Sequence, residues 1–322
     1  MAIFLRIIDN KLLPAGNVSR LGFNQNNPCY IPNNYLKQQE FVVMRTCHGI
    51  GDWCIISAMP RLLKEKYPNC KVYIPSSTML KNIWSLKTVG DGKMLNNWGY
   101  GTFDCSQMPY HIFNNNPYVD KFIDQGDGDI FHDHYKIYNE NIDKIPLLEQ
   151  MLNFWQFTEE EYLDSAPEIY FSDEEKTFGD KIIKRLLNSK EFGYIGASST
   201  YGTSGDTSLI IDKIKEYNNL TWFYYGEQSI EKTDLNFLQN TIAVKEMNLT
   251  IRQQMYLKCK AKVNVGNETG MALWSSRYSP SYALGHKFYV KIHGPESEGK
   301  PRKNPFQTGN FVKTTNYLNY EE

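Results

Sequence analysis

The chain keeps exchanging two residue patterns. Short runs of apolar and β-branched residues alternate with longer stretches whose apolar residues recur every three or four positions. The first pattern suits a strand covered on both faces, and the second suits an amphipathic helix. The clearest case opens with FVVMRT (41–46) and passes through a glycine-punctuated loop, HGIGD (48–52). A stretch with Ile55, Ile56, Met59, Leu62 and Leu63 at helical spacing follows, and then KVYIP (71–75). Strand, loop, helix and strand in that order make a βαβ unit, which requires a parallel pair. Pro60 interrupts the helical stretch, so the helix there kinks or starts late.

The exchange continues to the far end. VDKFID (119–124) reads as a strand and IPLLEQMLNFWQF (145–157) as a buried helix. An acidic stretch leading into APEIYF, around 160–172, reads as a domain junction. SDEEKTFGDKIIKRLLN (172–188) opens with Ser172 and carries Glu175 three residues on, a capping box. Strands are expected at FGYIG (192–196), LTWFYYG (220–226), TIAV (241–244), AKVNVG (261–266) and FYVKIHG (288–294). Helices are expected at SLIIDKIKEY (208–217) and IRQQMYLKC (251–259). The expected fold class is α/β, with two doubly wound units at 1–168 and 169–322. Residues 1–40, rich in turn clusters such as NNP and IPNN, are expected to be an irregular extension of the first unit. Trp222, Phe223, Tyr224 and Tyr225 fall in an expected buried strand, so they are assigned to packing rather than to a ligand-stacking platform.

Composition narrows the function classes. A chain of 322 residues has room for two domains, and 41% hydrophobic with 22% charged residues describes a folded protein. Lys and Arg number 35 against 36 Asp and Glu, which argues against a surface that is wholly a trap for nucleic acid. Local basic clusters remain at Lys258, Lys260 and Lys262 and at Lys300, Arg302 and Lys303. No apolar run reaches the ~18 residues of a membrane span, and MAIFLRIIDNK lacks the basic start and cleavage site of a secretion signal. The six cysteines form no CxxC pair, so reduced thiols in a cytoplasmic protein are expected. His132-Asp133-His134 resembles a ligand cluster, but in a strand Asp133 would face away from both histidines, and a polar loop accounts for the run. No metal site is expected.

Three loops follow expected strands at their carboxyl ends, where open α/β sheets bind ligands. The first holds His48, Gly49, Gly51 and Asp52. A dinucleotide fingerprint would need glycine at 54, where Cys54 stands, and no acid ends KVYIPSS, so a nicotinamide dehydrogenase is disfavoured. Asp52 serves either as a helix-start residue favoured by the dipole or as a general base, and spacing alone leans to the former. Trp53 beside it is a candidate for stacking on a bound substrate. The second loop holds Ser198, Ser199 and Thr200, either phosphate-binding hydroxyls or a plain polar turn. The third holds Glu268, Thr269 and Gly270, either a pyrophosphate and ribose site or a helix cap.

Taken in order, these segments resemble a known family. FVVMRTCHGIGDWCIISAMPRLLKEKYPNCKVYI, with its Gly-Asp loop and its Lys-x-x-Tyr-Pro, resembles the start of the heptosyltransferase-like glycosyltransferases, family 9. NNPYVDKFID, YIGASS, VNVGNETGMALWSS and FYVKIHGPES resemble their later motifs, so the likeness spans about residues 41–295. The resemblance implies a GT-B fold, two Rossmann-like domains facing across a cleft. It implies inverting, metal-independent transfer from a nucleotide-diphosphate sugar, which is a substrate, with no cofactor. By position, Asp52 resembles the family's catalytic base. Ser198, Ser199, Thr200, Glu268, Thr269 and Gly270 resemble its donor site. Glu268 stands where the family has Asp and Leu273 where it has His, which argues against ADP-heptose as the donor. The implied acceptor is a glycan or glycolipid. Two alternatives are a phage-type DNA glycosyltransferase acting on a modified base and a non-catalytic nucleotide-sugar or glycan binder on a degenerate GT-B fold.

Overall fold

The computed structural model describes residues 5–8, 11–14, 40–43, 50–80, 105–124, 130–131, 157, 166–188, 190–196, 207–224, 235–267, 275, 277–284 and 317–319. Strands β1 (Leu5–Ile8) and β2 (Lys11–Pro14) pair as an antiparallel hairpin, with Ile8 opposite Lys11. The irregular extension expected over 1–40 therefore contains regular structure. Two residues between the strands is the tightest common hairpin connection, and the turn clusters elsewhere in the segment masked that signal. β3 (Glu40–Val42), β4 (Lys71–Pro75) and β5 (Lys121–Ile123) form a parallel three-stranded sheet in that order. β6 (Ile130–Phe131) adds antiparallel to β1.

The helical stretch after β3 is broken rather than kinked. α1 (Ile50–Ile55) ends in a turn at 56–58, and α2 (Met59–Lys66) begins there with Pro60 in its first turn. A proline at that position loses no hydrogen bond, because the first N–H groups of a helix have no partner within it. Met59, Leu62 and Leu63 form the buried face of α2. α3 (Met108–Phe113) precedes β5 and buries Met108, Ile112 and Phe113.

α4 (Asp173–Leu187) carries the expected capping box: Ser172 accepts from the Glu175 N–H, and Glu175 accepts from the Ser172 N–H. It ends on Asn188 in the left-handed region at φ 48°, a common helix stop. The other elements of the second half are β7 (Phe192–Gly196), α5 (Thr207–Lys215), β8 (Thr221–Tyr224), β9 (Thr241–Ala243), α6 (Ile251–Lys260), β10 (Val263–Asn267), β11 (Ser281–Leu284) and β12 (Tyr317–Asn319). A second capping box, Thr250 with Gln253, starts α6. β11 and β12 are short strands without a clear apolar run. The strand expected over 288–294 and the helix expected over 145–157, Phe157 apart, lie outside the described residues.

The six strands of this half lie in the order β12-β11-β10-β7-β8-β9, and every neighbouring pair is parallel. Counted from β7 as the first strand and read from the β9 edge, the order is 3-2-1-4-5-6, that of a doubly wound sheet. The expected α/β class is borne out. Along β7 the residues alternate between faces. Ile195 joins a core with Ile210, Ile214, Trp222 and Val265. Phe192 and Tyr194 join another with Leu187, Phe223 and Leu257. Trp222, Phe223 and Tyr224 are buried as expected, and Tyr225 lies outside the described residues. No described helix is long and apolar enough to cross a membrane.

β7 and β10 approach unusually closely at their carboxyl ends, where Gly266 pairs with Gly196. A Cβ on Gly266 would sit 2.0 Å from the Gly196 carbonyl oxygen and 2.6 Å from its carbon. Backbone cannot yield as a flexible side chain can, so Gly266→Ala is expected to destabilise the protein by about 2 kcal/mol or more. A urea titration reads this as a lower midpoint, and a wild-type midpoint would contradict so close an approach.

Candidate functional site

In a doubly wound sheet the strand order reverses once, and consecutive connections leave that point toward opposite faces, which opens a crevice at the carboxyl edge. Here the reversal lies between β7 and β10. The chain leaves the sheet at Gly196 and at Asn267, on neighbouring strands. Ser198, Ser199 and Thr200 follow the first exit, and Glu268, Thr269 and Gly270 follow the second. These six residues and Leu273 lie outside the described residues, but their points of departure are adjacent.

The first loop leaves the other parallel sheet at β3. His48 and Gly49 lie outside the described residues, Gly51 is half-buried in α1, and Asp52 is the third residue of that helix. Trp53 requires a correction. It is 0% exposed and meets Phe113 edge-on at 6.4 Å, so it packs the core and offers no ring face to an acceptor. Adjacency in sequence to a candidate site residue does not place a side chain beside it, because successive residues on a helix diverge by about 100°.

The elements carrying these loops are tied together. Cys54 of α1 lies within electrostatic reach of Lys258 and Cys259 of α6, and burial pushes its thiol well above the ordinary range. The expected junction around 166–170 is a buried strap. The Glu168 N–H donates to Ser57 Oγ at 2.8 Å, in the turn between α1 and α2. The Glu168 carboxylate accepts from Arg61 at 2.5 Å and from Tyr170 Oη at 2.8 Å, with Arg277 Nη2 at 3.2 Å. Burial raises its pKa although both arginines work to lower it. From the other side, the Arg277 guanidinium donates to the Ala166 carbonyl and Tyr278 Oη donates to the Ile169 carbonyl.

Arg252 of α6 is the second tie. Its Nη1 donates to the His111 carbonyl at the end of α3 at 2.6 Å, and its Nη2 donates to the Tyr170 carbonyl and to Glu175 Oε2. Its Nε donates to Glu175 Oε1, and the guanidinium lies 5.3 Å from the Phe171 ring centre. Burial works against the Glu175 carboxylate, but the Arg252 hydrogen bonds outweigh it and hold the carboxyl below its ordinary range. Burial, and then the neighbouring Arg252 charge, lower the His111 pKa. Neither Arg252 nor Glu168 is visible as special in the sequence, since a lone charge in a helix or a linker ordinarily reads as solvated.

The three-lysine cluster near 260 does not form one basic face. Lys262 pairs with Glu191, and Lys260 lies 5.4 Å from the Tyr256 ring centre. Lys258 turns inward, 2% exposed, with Nζ 5.1 Å from the Tyr194 ring centre. Burial lowers its pKa to about 7, with Cys259 and then Cys54 working to raise it. Residues 300–303 and 132–134 lie outside the described residues. A cavity of about 430 Å³ opens beside Thr221 and Thr241, the first residues of β8 and β9, and so lies at the amino edge, away from the strand reversal.

The fold and the loop departures define an α/β protein with a doubly wound parallel sheet whose strand reversal lies between β7 and β10. No protein-family model matches the chain, and no curated protein matches it in sequence. Among solved structures it is similar to E. coli ADP-heptose LPS heptosyltransferase II, at 11% identity and a TM-score of 0.39, over 76% of this chain and 84% of that one. It is also similar to a glycosyl transferase family 9 protein from Veillonella parvula, at 9% identity and a TM-score of 0.46, over 88% of this chain and 87% of that one.

Proposed function

We propose that the protein is an inverting, metal-independent glycosyltransferase of GT-B type that moves a sugar from a nucleotide-diphosphate donor to an acceptor hydroxyl, most simply of a glycan or glycolipid. One observation carries the reading: the loop bearing Ser198–Thr200 and the loop bearing Glu268–Gly270 depart from neighbouring strands at the strand reversal. That is where doubly wound sheets bind nucleotides. The order of motifs along residues 41–295 supports it further.

In this reading the 198–200 hydroxyls and the main-chain N–H groups after Asn267 hold the diphosphate, and Glu268 accepts from a ribose hydroxyl. Asp52 takes the proton of the acceptor hydroxyl. The acceptor oxygen bonds to the anomeric carbon as the bond from that carbon to the diphosphate oxygen breaks, and the electron pair leaves with the diphosphate. Donors fixed in advance around the diphosphate stabilise the charge that grows there. Closure of the halves 1–168 and 169–322 would exclude the water that hydrolyses the donor.

A thermal-shift series with ADP, UDP, GDP, CDP and dTDP tests the donor half of this reading. At a hundredfold excess over Kd, a ligand specific to the folded state stabilises by about 2.7 kcal/mol. For a chain of this size the melting temperature should then rise by on the order of 5 °C with one base. No shift with any of them at millimolar concentration would overturn the proposal.

A further inference from the structure

α6 carries a lysine whose position along the sheet bears on the strand reversal. Two residues, Ala261 and Lys262, separate α6 from β10, so the helix descends toward the amino edge from which β10 rises. Helical side chains lean toward the helix N-terminus, which here is toward the carboxyl edge. The Lys258 chain follows that direction. Its Nζ lies over the Tyr194 ring and ends beside Gly196, the last residue of β7, where a Cβ would stand 2.9 Å from it. Gly196 in turn pairs with Gly266 across the reversal. The ammonium thus ends under the point where the 198–200 loop departs, one strand from the departure of the 268–270 loop.

Resting on the donor reading above, we propose that Lys258 is the buried counter-charge for a nucleoside diphosphate bound at the carboxyl ends of β7 and β10. The attraction between a buried ammonium and an anion is amplified by the low dielectric around it. The absence of a side chain at Gly196 leaves room for the ammonium at the strand end. The groups that face Lys258 include Tyr194 from β7, Cys54 from α1 and Cys259 from its own helix. Burial pushes both thiols up, so at neutral pH they face it uncharged. With its pKa lowered to about 7, Lys258 is mostly neutral at pH 8, and an arriving diphosphate draws a proton onto it.

The test is calorimetric titration of the full chain with ADP, UDP, GDP, CDP and dTDP, each alone, in phosphate-free buffers of different ionisation heat. At pH 8 the wild type should take up close to one proton per diphosphate bound, and the uptake should fade as the pH falls through about 7. Lys258→Met should abolish the uptake and weaken binding by about tenfold or more. Its melting temperature without ligand should be unchanged or higher, because a buried charge has been exchanged for an apolar chain. Lys258→Arg should bind without uptake, since arginine stays charged throughout. Tight binding by the wild type with no uptake at pH 8, or wild-type uptake and affinity in Lys258→Met, would overturn the assignment and leave the donor reading standing. If none of the five binds the wild type, both fall. Should Lys258→Met fail to fold, the wild type and Lys258→Arg decide the matter.

Discussion

Asp52→Asn is expected to lower turnover by about 10²–10⁴-fold while leaving nucleoside diphosphate affinity and melting temperature close to those of the wild type. The exchange keeps the size and shape of the side chain and removes its capacity to accept a proton. A general base acts only as the acceptor oxygen attacks, so its loss should appear in kcat and not in donor binding. The competing role has a different signature. Asp52 is the third residue of α1, where a negative charge interacts favourably with the helix dipole. If that were its whole contribution, the variant would lose about 0.3–1 kcal/mol of stability and keep its turnover. Initial rates of sugar transfer, measured beside a urea titration, separate the two. Near-normal turnover removes Asp52 from the chemistry.

Arg252→Ala is expected to cost about 3–5 kcal/mol of stability. Total stabilities of folded proteins are about 5–15 kcal/mol, so this one change should bring the chain near its folding threshold. The guanidinium holds Glu175, the His111 carbonyl and the Tyr170 carbonyl together, and its removal leaves a carboxylate and two carbonyls without their shared donor. Arg252→Lys should recover little, because one ammonium cannot reach three acceptors with the geometry of a planar fork. An unfolding free energy from urea titration within about 1 kcal/mol of wild type would refute the role. The pH dependence has a definite sign. The folded Glu175 carboxyl titrates below its ordinary value of 4.5, so its contribution is whole above that pH and is lost as the pH falls through the lower folded value. In Arg252→Ala that part of the acid sensitivity should disappear.

Most of the regular elements were legible in the sequence. KVYIP and FGYIG became β4 and β7 with the expected bounds, and the Ser172 and Glu175 capping box started α4 where local chemistry said it would. These are local signals: a strand covered on both faces must be continuously apolar, and a helix end must satisfy its own N–H groups. The elements that were missed carry weak local signals. The β1–β2 hairpin sits among turn clusters, and β12 has three residues.

By itself the sequence determined the α/β class, the alternation that drives it, and three polar loops after strands, because each depends on residues within a few positions of one another. Only the tertiary structure decided that β7 and β10 are neighbours although 66 residues lie between the end of β7 at Gly196 and the start of β10 at Val263, for strand pairing depends on which surfaces bury one another and not on nearness along the chain. The same reason accounts for Trp53, Lys258, Arg252 and Glu168. Whether a ring or a charge faces water or the interior is settled by the elements packed over it, and at each of these positions those elements come from distant parts of the chain.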